Sequence, residues 1–396
     1  MLDFLKLISQ IQQIGKESLL DKLPDEDILV NATQIYESAT EAPEQFAKRI
    51  QNNAGLVYWP SAIPLEVFGH DYRIESRKEP VTVVAVDGSQ IMPSHHEVLS
   101  CYLLNIGITV MSYGIEKPAI LESQPHLFHR PDDLYPLVNR RRIHIDELYV
   151  SLERGLLELT TLLEKAVDAK SRLLPTVALI DGSLLPWSVD KMPETYQQEY
   201  FQRFIAALSQ FQQEEIPVVG YISHSRSSDI VNCLRMWQCP YEKTDCRKNC
   251  GHLNEENFPC STIWPLSDRQ LLSGELERHK RTATFSSGAL VTKLMPPELQ
   301  TCFSYLHTGY EVARLEFPRW LFGHQELFNL SLAAISAQVE KGQGYPVSLS
   351  EAHHLAVIRG ADRLKFFDLL ARQLVSLGLK RVSTSPKESR KRRGVV

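Results

Sequence analysis

No uninterrupted apolar run long enough to cross a membrane occurs in this sequence. The nearest approach, residues 98–115, carries no charge but is broken by Asn105, Gly107, Ser112 and Gly114. Those breaks, with the β-branched residues around them, indicate buried strands rather than a membrane span. No secretory leader is expected either. The N-terminal stretch MLDFLKLISQIQQIGKESLLDKL has no basic start followed by an apolar core and a small-residue cleavage site. The expected setting is therefore cytoplasmic and reducing, where the seven cysteines serve as thiols or metal ligands rather than disulfides. An excess of positive charge is also absent. A formal charge of −5 excludes a globally basic nucleic-acid coat, while 43 Lys and Arg still suffice for a local basic groove.

What is present is ordinary globular material, 43% apolar and 23% charged, enough to bury a sizeable core. A length of 396 residues exceeds one typical domain and suggests a large domain with appendages, or two smaller ones. Leu5, Ile8 and Ile11 at helical spacing predict an amphipathic helix over 2–23, the start of a helical extension covering 1–78. From residue 81 the pattern turns to strands: 81–86, then apolar runs around 98–110. A long helix is expected over 143–169, with Leu148, Leu152, Leu156, Leu159 and Leu163 on one face. Strand 177–180, helix 197–213 and the buried strand in IPVVGYIS complete the rhythm of an α/β layer. Apolar alternation returns over 302–315, and two helices, 323–339 and 349–377, close the domain. The tail SPKESRKRRGVV is basic and unpatterned, so 381–396 is expected to be disordered, as solvated decoration or as a grip on a polyanion.

Two stretches carry the chemistry. VTVVAVDGS at 81–89 and TVALIDGS at 176–183 each run an apolar strand into Asp-Gly-Ser, ending in Asp87 and Asp181. One copy alone reads as an Asp-Gly turn. Two copies at strand ends of one α/β layer bring two carboxylates together, and like charges that close require a shared proton or a bound cation. Oxygen-only ligation suits Mg²⁺ or Mn²⁺, and a pair of such ions can activate water and stabilise the leaving oxygen of a phosphodiester. The intervening helix should supply a third acid. Glu147, Glu153, Glu158 and Glu164 are candidates, Glu153 and Glu158 flank the leucine stripe, and Glu158 is the preferred one.

AVDGS and LIDGSLLPW, followed by SDRQLL, EVARLEFPRWL and GYPVSLSEAHHLAVI, together resemble the NurA nuclease family over most of 80–370. No single motif is specific; the ordered set is. The resemblance implies a nuclease domain over 79–380 with an RNase H-like fold, a mixed sheet flanked by helices. It also implies a manganese-dependent site, 5′-to-3′ exonuclease and single-strand endonuclease activity in DNA end resection and double-strand break repair, a HerA-type hexameric ATPase as partner, and a homodimer. Asp87 and Asp181 match the family's metal-binding aspartates, with a helical glutamate between. Tyr345 and His353 match a functional tyrosine and histidine. By their residue types alone, Tyr345 is an aromatic in a loop and His353 a core histidine. Beside two metal-binding aspartates His353 becomes a metal or phosphate ligand or a proton donor, and Tyr345 orients phosphate or water.

The sequence departs from the family at three places. After IPVVGYIS, where a lysine is common, it has His224 and Arg226, the latter able to contact phosphate. In ELERHKRTATF, Arg278, His279, Lys280 and Arg281 form a candidate phosphate-contact patch, or else a solvated charge run. A polar insertion over 232–264 packs Cys233, Cys239, Cys246, Cys250 and Cys260 closely together. Its spacing matches no standard finger, and structural zinc or an iron–sulfur cluster is expected there. Cys101 and Cys302 lie in apolar strands and are expected to be inert. A non-enzymatic alternative is a DNA-binding or partner-regulating module on the same scaffold.

Overall fold

The computed structural model describes residues 3–8, 10–12, 26–75, 80–93, 99–170 and 174–378. Residues 4–8 and 10–12 are helical with Phe4, Leu5, Ile8 and Ile11 exposed. The rest of the expected N-terminal helix, and the basic tail 381–396, lie outside the described residues. The chain divides into two compact units, one built from 1–74, 222–294 and 302–315, the other from 75–221, 295–301 and 316–396.

The second unit is a mixed sheet with helices. Its strands are β1 (Val81–Ile91), β2 (Tyr102–Tyr113), β3 (Ile120–Phe128), β4 (Thr176–Asp181) and β5 (Val218–Ile222). They lie side by side in the order β5-β4-β1-β2-β3. β1 to β3 form an antiparallel meander, while β4 runs parallel to both β1 and β5. A 3-2-1-4-5 order with only the second strand reversed is the RNase H-like arrangement, so mixed α/β is the fold class observed. β3 was not expected. Its polar residues and Pro125 hide it in the sequence, and it alternates exposed with half-buried side chains as an outer strand does.

Helices α1 (Glu147–Lys170), α2 (Glu194–Gln213), α3 (Gln325–Lys341), α4 (Val347–Ala356) and α5 (Gly360–Ser376) complete the unit. α1 buries Leu152, Leu156, Leu159 and Leu163, as the leucine stripe predicts, each stabilising by roughly 1.5–3 kcal/mol. The single helix expected over 349–377 is two. The carbonyls that would continue α4 are taken by the sheet: Asn105 Nδ2 donates to Leu355 and Ala356 at 3.1 and 2.9 Å, and Ser89 Oγ also donates to Ala356. A new start at Arg359 follows, where Asp362 closes a capping box.

In the first unit the expected extension does not stand alone. Tyr36, Phe46, Ile50 and Phe68 share one core with Ile230, Leu234, Ile263, Leu271, Phe285 and Tyr305. Residues 26–74 thus fold together with segments far along the chain. The apolar stretch 302–315 forms strands Thr301–His307 and Val312–Pro318. Among the described residues no helix is long and apolar enough to cross a membrane.

Candidate active site

Register sets the two strand-end carboxylates side by side. Val86 of β1 lies level with Ile180 of β4, so Asp87 and Asp181 emerge together where the strands end their pairing. Across β1 and β2, Asp87 sits opposite Gly107 and shares its face. α4 covers that face and brings His353 to Asp87, with Nδ1 2.7 Å from Oδ2. Asp87 Oδ1 accepts from the Gly88 N–H at 2.8 Å. Alternation turns Gly88 to the opposite face, where a β-carbon would meet Glu158 Oε1 at 2.3 Å. Only a glycine lets the α1 carboxylate approach the strand this closely.

Of the helical acids expected, Glu158 is the one that stands against β1 beside Asp87. Glu153, its alternative, instead pairs with Arg203 at 3.0 Å and accepts from the Tyr196 hydroxyl at 2.9 Å. Glu158 is buried, and desolvation pushes its pKa up to about 8, offset in part by Arg154 and reinforced by Asp87 and Asp181. Arg154 Nε stands 3.2 Å from Oε1, yet neither atom has a hydrogen-bond partner. Asp181 meets solvent at the strand end, but the protein crowding its carboxyl raises its pKa. Tyr345 opposes that rise through a side-chain hydrogen bond, and Asp87 adds to it. Tyr345 is braced edge-on by Tyr221, their ring centroids 5.4 Å apart. Asp87, Glu158, Asp181, Tyr345 and His353 therefore surround one strand-end centre.

A buried carboxylate oxygen that accepts no hydrogen bond, beside two further carboxylates, is the donor chemistry of a hard divalent cation. As they stand, no three His, Cys, Asp or Glu side chains among the described residues are arranged to hold a metal ion. The hydrogen bond from His353 to Asp87 and the proton on Glu158 are what a cation would replace.

The raised pKa has a thermodynamic consequence. Folded Glu158 keeps its proton to about pH 8, whereas the unfolded chain releases it near the ordinary value of 4.5. Its contribution to stability is therefore complete below the lower value and is lost as pH rises towards the upper one. Metal-free protein should lose on the order of 3 kcal/mol between pH 5 and 8. Glu158→Gln should flatten that slope in thermal melts. Equal slopes for the two proteins would refute the assignment.

Two features escaped the sequence. Glu316, 1% exposed, accepts from Ser183 Oγ at 2.6 Å and the Leu184 N–H at 3.0 Å. It thereby fixes the turn after Asp181, and its signal was an acid inside the apolar run LEF. A cavity of about 250 Å³ also opens beside the carboxylates, lined in part by Glu158, Asp181, Leu184, Trp187 and Tyr200. Trp187, half exposed, is held by its indole N–H on Ser183 Oγ at 3.1 Å.

The remaining expected residues lie in the other unit. Arg281 is buried and pairs with both oxygens of Glu66, at 2.6 and 2.9 Å. It is a structural ion pair, because freeing it would leave Glu66 buried and uncompensated. This corrects its expected place in a phosphate-contact patch. Lys280 is 2.7 Å from Glu277, while Arg226 and Arg278 are exposed. Cys233 is corrected too: it is fully buried in the core, its thiol donating to the Ala62 carbonyl at 3.1 Å.

Strand order and a carboxylate centre on the two middle strands define an RNase H-like α/β domain with an acidic strand-end site. The chain belongs to the NurA family: the NurA domain matches residues 81–358. Among solved structures it is similar to the NurA nuclease from Sulfolobus solfataricus, at 15% identity over 92% of this chain and 99% of that one, with a TM-score of 0.45. A second NurA structure aligns at 11% identity over 88% of this chain and 98% of that one, TM-score 0.40. The catalytic domain of human endonuclease V aligns at 12% identity over 84% of this chain and 98% of that one, TM-score 0.29. No curated protein matches the sequence.

Proposed function

We propose that this chain is a metal-dependent deoxyribonuclease that hydrolyses DNA phosphodiesters at the Asp87–Asp181 centre. The observation that carries the reading is the meeting of Asp87, Glu158 and Asp181, from two strands and a helix, around a buried oxygen with no hydrogen-bond partner. Asp87, Asp181 and His353 would hold Mn²⁺ or Mg²⁺, with Glu158 deprotonating to join them. Bound there, the cation supplies an activated water and charge stabilisation for the leaving oxygen. Tyr345, anchored on Asp181, orients phosphate or water. His353 serves there as a cation ligand, its hydrogen bond to Asp87 giving way to the ion. The exposed ring of Trp187 offers an unpaired base a stacking surface beside the carboxylates. Arg226, Arg278 and Lys280 contact the DNA backbone.

Family membership supports the finer reading: 5′-to-3′ exonuclease and single-strand endonuclease action in end resection during break repair, with a HerA-type ATPase and as a homodimer. The direct test incubates purified protein with end-labelled linear DNA and with circular single strands, in Mn²⁺, Mg²⁺ or EDTA. Hydrolysis with either cation and none in EDTA is expected. Intact DNA under every condition, with binding retained, would overturn the reading in favour of a DNA-binding module. EDTA-resistant cleavage would overturn the metal mechanism.

A further inference from the structure

Four of the five clustered cysteines meet where the sequence alone could not place them. Cys239, Cys246, Cys250 and Cys260 line one small cavity, with Trp59, Tyr241 and Asp245 among the other walls. All four are free thiols, and all but Cys239 are buried. Each of the six pairs among them is close enough for the two sulfurs to interact electrostatically. The surrounding segment has little core of its own, only Cys250, Phe258 and Cys260 packed against Trp59 and Leu253. Short turns hold the thiols instead. The Cys250 N–H bonds the Cys246 carbonyl at 2.9 Å, and the Cys246 N–H bonds Leu56 at 3.0 Å.

A second observation points to an anionic occupant. Arg235 is 1% exposed and lies 3.8 Å over the Trp59 ring. Its guanidinium reaches the Cys260 thiol, and its buried Nε has no hydrogen-bond partner. Its guanidinium also donates to Asn232 Oδ1 at 3.2 Å and lies near the Trp264 ring, but among the described residues its one carboxylate partner, Glu255 at 3.1 Å, is half exposed to water. A buried guanidinium whose one charged partner is open to water is costly beside neutral thiols. Beside four thiolates around a metal, which carry net negative charge, it becomes the counter-ion that such a centre requires.

We propose that Cys239, Cys246, Cys250 and Cys260 hold a thiolate-ligated metal centre, with Arg235 as its buried counter-charge. This goes beyond the nuclease reading and does not rest on it. The thiols release their protons on loading, and side-chain rotation draws them inward onto one zinc ion, or they grip the corners of an iron–sulfur cluster. Either occupant would staple residues 239–260 to the segment around Trp59, stabilising a polar insertion that apolar burial alone does not.

The test uses the full chain, purified without chelator or affinity metal and under nitrogen, with elemental analysis and visible absorption. About one zinc per chain without colour, or about four irons with visible charge-transfer absorption, is expected and distinguishes the two occupants. Cys246→Ser and Cys260→Ser should each lower bound metal at least about tenfold and lower the melting temperature. Cys101→Ser and Cys233→Ser should leave the metal in place. Asp87→Ala should leave it too, which separates this centre from the carboxylate site. Metal-free wild-type protein whose four thiols are alkylated under native conditions, or are found joined as disulfides, would overturn the proposal. Should the serine variants at 246 and 260 not fold, wild-type stoichiometry and Cys239→Ser, at the least buried of the four, still decide it.

Discussion

Replacing Asp87 with alanine is expected to lower DNA hydrolysis by at least about a thousandfold while leaving the chain folded. Asp87 stands where every element of the site meets: level with Asp181 in the sheet, bonded to His353, and close enough to Glu158 to raise its pKa. Its removal takes away a proposed cation ligand and frees the His353 ring in one step. It also removes a like charge from beside Asp181, so the melting temperature of metal-free protein should hold or rise. End-labelled DNA cleavage, read beside a thermal melt, checks both halves. Activity within tenfold of the parent protein would exclude Asp87 from the chemistry. Lost activity with a collapsed melt would show that the variant had only unfolded.

The second large effect is expected from Gly107→Ala, a single methyl added on the strand opposite Asp87. A β-carbon there would lie 2.0 Å from the Ala352 carbonyl oxygen and 2.6 Å from the Ala356 nitrogen. Both are backbone atoms of α4 and cannot rotate away, so the helix must lift from the sheet. Lifting breaks the bonds from Asn105 and Ser89 that end α4, and that from Thr109 Oγ1 to the Ser348 carbonyl at 2.9 Å. It also carries His353 away from Asp87. Overpacking of this kind costs about 3 kcal/mol, and a displacement of about 1 Å at a catalytic group costs on the order of a hundredfold in rate. Gly155→Ala in α1 is the control, since nothing lies within 4 Å of its added carbon. Equal melts and equal rates for the two variants would show that α4 does not depend on a bare strand surface.

Gly107 and Asn105 also show how a correct observation can carry half its meaning. In the sequence they break an apolar run and argue against a membrane span. In the fold, Asn105, Gly107 and Thr109 are alternate residues on one face of β2, and each meets the backbone of α4. The polar interruptions are the docking surface of the helix that carries His353. Nothing local announces this, because Asn105 and its partner Ala356 are 251 positions apart. The four-cysteine cavity has the same character. Spacing brought five thiols into one segment, but only the packing of helix Asp229–Trp237 drew Cys233 into the core and left the other four together.

By itself the sequence determined much of the strand–helix order, the buried stripe of α1 and the two aspartates that follow apolar strand segments, but neither β3 nor the run of β1 on through Asp87 to Ile91. The features it did determine follow from periodicity and from the cost of a carboxylate beside a buried strand, which neighbouring residues alone express. Tertiary structure decided the rest. It chose Glu158 over Glu153, because the rotation of α1 against the sheet turns one toward Gly88 and the other toward Arg203. It withdrew Arg281 into an ion pair with Glu66, and it set Glu316 beneath the turn after Asp181. Each of these depends on which side of an element faces which neighbour, and that orientation is fixed by contacts between residues far apart in the chain.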